Sequence, residues 1–274
     1  MSMPFYVAPE QFMKDKADFA RKNIARGRPL VATVYASGIL ICAENPSKSL
    51  HKVSEIYDRI AFAGVGRYNE FDSLRRAGVQ HADVKGYQFS REDVDARSLA
   101  NLYAQYMGNV FTHELKPLEV EILVAEVGSE PAGDQLFHIL YDGSVVDEDW
   151  YSVLGGEADA ILERLKEGFD AGWDLDEAVR KSARALSGPD RDPVAADLEV
   201  AILARSNGRR AFERVDDERV AQALGGGEGQ GGATDQSGGE SPDGDDAPAG
   251  SEAPDTETPD TETPDTGTPD SEAD

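Results

Sequence analysis

Residues 26–52 read RGRPLVATVYASGILICAENPSKSLHK. Two apolar runs, about 30–36 and 39–44, flank Ser37 and Gly38, the signature of two strands joined by a tight turn. A polar loop follows and ends at Lys52. Ahead of the first strand, PEQFMKDKADFARKNIAR (9–26) reads as a helix. Pro9 suits the first helical position and Gly27 the stop. Met13, Ala17, Ala20 and Ile24 recur at spacings of four and three and lay one apolar stripe along it, widened by Phe12 and Phe19.

The same reading continues outward. YDRIAFAGVG predicts a third strand over roughly 57–64, and NEFDSLRRAGVQ a helix with Asn69 as its cap. Residues 90–114 read as a strong helix, opened by a capping box at SRED (90–93), with Leu99, Leu102, Tyr103, Tyr106 and Val110 on its buried face. Strands follow at 118–128, 135–143 and 144–156, the last pair turning at Asp142 and Gly143. Two helices (about 157–169 and 175–187), a hairpin across Asn207 and Gly208, and a short helix at about 216–224 close the body. Grouped strands with antiparallel turns and grouped helices exclude a doubly wound parallel sheet. They predict an α+β, four-layer αββα sandwich: two antiparallel sheets face to face between helix layers, with an extra N-terminal helix.

Composition divides the chain. Of 53 acidic residues, 15 lie in 226–274, which holds no Lys or Arg. The remaining 225 residues carry 38 acids against 27 bases. From 225 to 274 the chain is Gly-, Ser-, Pro- and acid-rich, with the repeats SEAPD, TETPD, TETPD and TGTPD and no aromatic, Val, Ile or Met. Such a segment cannot offset its ordering entropy by burial and is expected to be a disordered, solubilising acidic tail. An acidic body with an acidic tail argues against non-specific nucleic-acid binding and against anionic membranes. No apolar run approaches a membrane span, and MSMPFYVAPEQ lacks the basic start of a signal peptide, so a soluble cytoplasmic protein is expected. Cys42 is the only cysteine and sits in an apolar strand, where an inert core residue is expected.

Chemistry-bearing motifs are few. Gly64 and Gly66 in GVGRYNEF follow a strand, but lack the third glycine and the βαβ order of a dinucleotide site. His51, His81, His113 and His138 have no ligand spacing, so no metal and no cofactor are expected. Lys52 by itself reads as a solvated charge, and residues 1–8 as a frayed terminus, although Met3, Phe5, Tyr6 and Val7 would be sticky if free. Glu44 reads as a turn anchor, and GYQFSRED as an exposed loop.

The long motifs carry a resemblance. Residues 25–78, ARGRPLVATVYASGILICAENPSKSLHKVSEIYDRIAFAGVGRYNEFDSLRRAG, resemble the core of actinobacterial proteasome α subunits. SLANLYAQYMGNVFTHELKPLEVEILVAEVG, LYDGSVVDEDWYSVLGG and the opening MPFYVAPEQFMKDKADFARKNIARG extend the match over about residues 3–220. The resemblance implies the N-terminal-nucleophile hydrolase fold. Catalytic β-type members begin their first strand with a threonine freed by propeptide cleavage, whose own amine can act as base. Here Arg28, Pro29 and Leu30 stand at that start, and none can attack a carbonyl. The implied role is therefore a non-catalytic, structural and gating subunit: seven copies in an outer ring on each side of two β-subunit rings, an α7β7β7α7 barrel.

The resemblance also assigns residues. It implies a gate over the axial pore formed by Met1, Ser2, Met3, Pro4, Phe5, Tyr6, Val7 and Ala8, with Pro9 fixing where the segment leaves the helix. It places Lys52, with Gly27 nearby, in a pocket between neighbouring subunits that receives the C-terminal tails of a hexameric ATPase. The implied domains are 1–8 (gate), 9–224 (α-type domain) and 225–274 (tail). The rival readings are a self-processing amidohydrolase of the same fold, which needs cleavage before Thr33, Ser37 or Cys42, and a free-standing scaffold.

Overall fold

The computed structural model describes residues 8–225; the expectations for 1–7 and 226–274 lie outside that range. Helix α1 (Pro9–Ile24) leads into the hairpins β1 (Leu30–Tyr35)/β2 (Gly38–Glu44) and β3 (Val53–Tyr57)/β4 (Ile60–Gly66). Helices α2 (Tyr68–Gln88) and α3 (Ala96–His113) follow, then β5 (Val120–Glu126), β6 (Gln135–Ile139), β7 (Val145–Glu148) and β8 (Tyr151–Leu154). Helices α4 (Ala158–Lys166) and α5 (Leu175–Ser187), strands β9 (Leu198–Ala204) and β10 (Phe212–Val215), and α6 (Asp217–Gly225) complete the order.

Two five-stranded antiparallel sheets result, in the orders β10-β9-β2-β1-β8 and β3-β4-β5-β6-β7. Strand periodicity builds the layers. Along β1, Leu30, Ala32 and Val34 point into the space between the sheets, while Val31 and Tyr35 point to the helices. Both faces are covered, so the strand is apolar nearly throughout rather than alternating. One cluster joins the sheets through Leu30, Ile39, Ile41, Ala63, Val65 and Leu123. A second packs α4, α5 and α6 on the first sheet through Ile161, Val179, Leu186 and Val220. A third packs α2 and α3 on the other through Phe62, Leu74, Leu99 and Tyr103. Each fully buried Leu, Ile or Phe contributes about 1.5–3 kcal/mol. This is the expected αββα sandwich.

Local details differ from the sequence reading. The strand expected at 57–64 is β4, and a further strand, β3, precedes it and pairs with it through a turn at Asp58 and Arg59. Ser54 and Glu55 masked β3 because it is an edge strand that leaves them partly exposed. The strand expected at 144–156 is two strands in different sheets, β7 beside β6 and β8 beside β1. The capping box at 90–93 closes only a short 3-10 turn, where Ser90 Oγ accepts from the Glu92 amide. Helix α3 starts later, capped by Asp95, which accepts from the Ser98 amide at 2.8 Å. On α3, Met107 rather than Tyr106 is buried; Tyr106 is 53% exposed. The cap of α2 is Arg67 rather than Asn69.

Candidate functional site

Helix α1 forms because sixteen residues run without Gly or an interior Pro, with Pro9 at the first position, Glu10 in the first turn, and Arg21 and Lys22 in the last. Its end is set by Gly27, whose amide donates to Ile24 O at 2.8 Å, and by Pro29, which forces Arg28 towards an extended backbone. The expected stripe is only half used. Ala20 and Ile24 enter the cluster between the sheets, while Phe12 and Phe19 remain 40% and 46% exposed. The residue that joins Ala20 and Ile24 in burial is Lys16, at 4% exposure. Its ammonium donates to Phe111 O at 3.0 Å and Glu114 O at 2.5 Å, at the C-terminal end of α3, beside the rings of Phe12 and Phe111.

Gly27 packs against the end of β4. A methyl group there would come within 2.7 Å of Val65 Cγ1 and 2.9 Å of Ile24 O. Gly66, at the end of β4, has φ +112° and passes so close to Glu119 O that a Cβ would lie 2.0 Å away. Glycine serves both positions because the backbones approach too closely for a side chain.

The loop carrying Lys52 is held by one carboxylate. Glu199 on β9 accepts from the Lys52 amide at 2.8 Å, the Val53 amide at 3.2 Å, Asn45 Nδ2 at 2.7 Å and Arg214 Nη1 at 2.6 Å. His51 Nδ1 lies 3.3 Å away. Asn45 also donates to Leu50 O at 2.7 Å and accepts from the Ser47 amide, closing the loop on itself. Burial alone would raise the Glu199 carboxyl, but the Lys52 amide, the Asn45 amide and the Arg214 guanidinium together hold it below its usual range. The half-buried Lys52 ammonium donates to Arg28 O at 2.5 Å. Burial pushes its pKa down to about 8; the Glu199 charge opposes that shift and Arg28 adds to it. Lys52 and Gly27, which are 25 positions apart, are thus brought to the same corner, since the acceptor of the Lys52 ammonium is the residue after Gly27.

At the head of β1, Arg28 is exposed and Leu30 is buried in the core between the sheets. The other hydroxyls and the thiol are placed unfavourably for nucleophilic attack. Thr33 is fully buried and donates to Val34 O at 3.2 Å. Ser37 sits in the β1–β2 turn. Cys42 is buried and its thiol is pushed up to about 12 by burial. Glu44 is an anchor: its amide donates to Pro29 O at 3.0 Å and its carboxylate pairs with Arg191. Within GYQFSRED, Tyr87 and Phe89 are exposed, and Arg91 pairs with Asp58. Of the gate assignment, Ala8 and Pro9 lie at the exposed start of α1, and Ala8 O accepts from the Phe12 amide at 3.0 Å; Met1, Ser2, Met3, Pro4, Phe5, Tyr6 and Val7 are outside the described residues. Among the described residues no group of three or more His, Cys, Asp or Glu is arranged for a metal, and no helix is long and apolar enough to cross a membrane.

Sequence reasoning missed Glu199, Asn45, Arg214 and Lys16. For Glu199 a signal existed: LEVAILA is a strand with one charge in an otherwise apolar run, which demands a partner.

A β1 strand without a nucleophile, sealed by a preceding helix in an αββα sandwich, defines a class: the proteasome-type sandwich in its α form. The family described as proteasome subunit matches residues 24–197. A proteasome subunit alpha of Acidimicrobium ferrooxidans is 63% identical over 226 residues, covering 82% of this chain and 97% of the relative. Those of Sanguibacter keddieii (56% over 220 residues, 78% and 86% covered) and Xylanimonas cellulosilytica (52% over 241 residues, 84% and 99% covered) are similar along the same body. The chain belongs to the proteasome subunit family, and within it to the alpha type.

Proposed function

We propose that this chain is the non-catalytic outer-ring subunit of a cytoplasmic proteasome core. Seven copies form a ring that caps the catalytic β rings. Residues 1–8 close its axial pore, and the C-terminal tails of a hexameric ATPase enter pockets that contain Lys52 and Gly27. Catalysis belongs to the partner β subunit. The observation that carries this reading is the head of β1: Arg28, Pro29 and Leu30 occupy the position where catalytic relatives present a nucleophile, and Ala20 and Ile24 of α1 fill the adjacent end of the sandwich.

The corner at Lys52 supports the docking part. A half-buried ammonium with one carbonyl acceptor keeps N–H donors free for a carboxylate. A charge-assisted hydrogen bond of this kind is worth about 1.5–3 kcal/mol. The gate is tested by deleting residues 2–8 and co-expressing the shortened chain with its β-type partner. Hydrolysis of long peptides by the assembled barrel should rise severalfold. Normal assembly with flat activity would remove the gate from these residues. The rival amidohydrolase is tested by mass spectrometry of the purified chain, since self-cleavage before Thr33, Ser37 or Cys42 would remove the N-terminal helix. The buried Thr33 and the raised Cys42 thiol count against it.

A further inference from the structure

We propose that Glu199 is the positioning residue of the Lys52 site: its carboxylate fixes the loop that presents the Lys52 ammonium to the C-terminal carboxylate of a partner protein. The proposal rests on the docking role read for Lys52 and adds a residue 147 positions away.

Lys52 stands on a polar loop, and a mobile loop would lose entropy on every binding event. Glu199 removes much of that backbone freedom. It binds the amides of Lys52 and Val53 on either side of the lysine's Cα, and through Asn45 it reaches the carbonyl of Leu50. The other end of the segment is fixed by the Gly64 amide donating to Lys52 O at 3.1 Å. The Glu199 side chain is 9% exposed, so it is not itself a docking surface; its whole acceptor capacity is turned inward on this loop and on Arg214.

Charge works in the same direction. The groups that face this corner are Lys48, His51 and Lys52 on the loop, Glu199 on β9, Arg214 on β10, Asp216 and Asp217 at the start of α6, and Arg28 on the α1–β1 linker; Lys48 is paired with Asp217 at 2.6 Å. Of the carboxylates, Glu199 is the one that acts on Lys52, and it opposes the neutralisation that burial favours. Removing its charge leaves the loop under-anchored and the ammonium easier to deprotonate.

The test uses barrels assembled from the full chain and its β-type partner. The probe is a synthetic decapeptide copied from the C-terminus of the same organism's proteasomal ATPase, with its C-terminal amide as control. Glu199→Gln should raise the half-stimulating peptide concentration about tenfold while the maximal stimulated rate is retained, the loss of about one charge-assisted bond. The pH at which stimulation fades should also move down. Glu199→Asp should recover part of the loss, and Glu199→Gln should add nothing to Lys52→Ala. An unchanged midpoint in Glu199→Gln, or additive losses in the double variant, overturns the proposal while leaving Lys52 in place. If Lys52→Ala itself keeps full stimulation, the docking role falls and this proposal with it. Should Glu199→Gln fail to assemble, Asn45→Ala carries the test: a raised midpoint supports the anchored loop, and an unchanged one overturns it.

Discussion

Two lysines, one inside α1 and one on the loop between β2 and β3, solve opposite problems with the same chemistry. Lys16 puts its ammonium on two carbonyls at the end of α3, under the rings of Phe12 and Phe111. Lys52 puts its ammonium on one carbonyl, that of Arg28, and sits half-buried with a pKa pushed down to about 8. A helix C-terminus offers orphan carbonyls and the negative end of the dipole, so Lys16 is satisfied where it is. Lys52 is partly desolvated, has one carbonyl acceptor and feels the Glu199 charge without being paired to it, so it is under-satisfied. The difference teaches where a cation is structural and where it is available: the second is the one with donors to spare.

The largest expected effect breaks the comparison on the structural side. Lys16→Met keeps the aliphatic stem but drops the ammonium, and should cost about 3 kcal/mol, two charge-assisted bonds less a partial repacking gain. Chemical denaturation of the isolated subunit would measure it. A loss below that of a single ordinary hydrogen bond would make Lys16 as dispensable as a surface lysine. Next comes Lys52→Ala. If the proposed docking is right, it should weaken stimulation by the ATPase by about 2 kcal/mol, or roughly thirtyfold, with assembly intact. Its effect on stability should be much smaller than that of Lys16→Met.

Titration sharpens the contrast further. The folded-state pKa of Lys52, about 8, lies below its ordinary value of 10.5. Between those values the unfolded chain holds a proton that the folded chain has lost, so this residue makes stability rise with pH across that window. Docking of a carboxylate should run the other way, weakening by up to about tenfold per pH unit above about 8 as the ammonium is lost. Stability curves and stimulation midpoints measured from pH 7 to 10 should therefore diverge, and Lys52→Ala should flatten both trends. The smallest effect is expected at Gly27→Ala. The added methyl meets Val65 Cγ1 and Ile24 O, and should cost about 1–2 kcal/mol, less whatever shift the end of α1 can make. A neutral result in a melting experiment would show that this corner is slack.

Much of the architecture was legible in the residues. The helix over 9–26, the strands around Ser37 and Gly38, and the hairpin at Asn207 and Gly208 follow from local periodicity and turn chemistry. The edge strand β3 was not: Ser54 and Glu55 read as loop because they are partly exposed. Residues 144–156 read as one strand because periodicity does not reveal a change of sheet between Glu148 and Tyr151. Apolar spacing along α1 does not mark Lys16, because a lysine counts as surface until a buried carbonyl is found for it.

What the chain determined by itself is local: which segments extend or coil, the absence of a nucleophile at Arg28, Pro29 and Leu30, and a charge-segregated tail. Each of these depends on a residue and its near neighbours, through backbone sterics, alternation and side-chain chemistry. What only the tertiary structure decided is pairing at a distance: Lys16 with Phe111 O, 95 positions on, and the Lys52 loop with Glu199, 147 positions on. Hydrogen bonds and desolvation act within a few ångströms of space, and separation along the chain carries almost no information about that distance once the strands have closed into sheets.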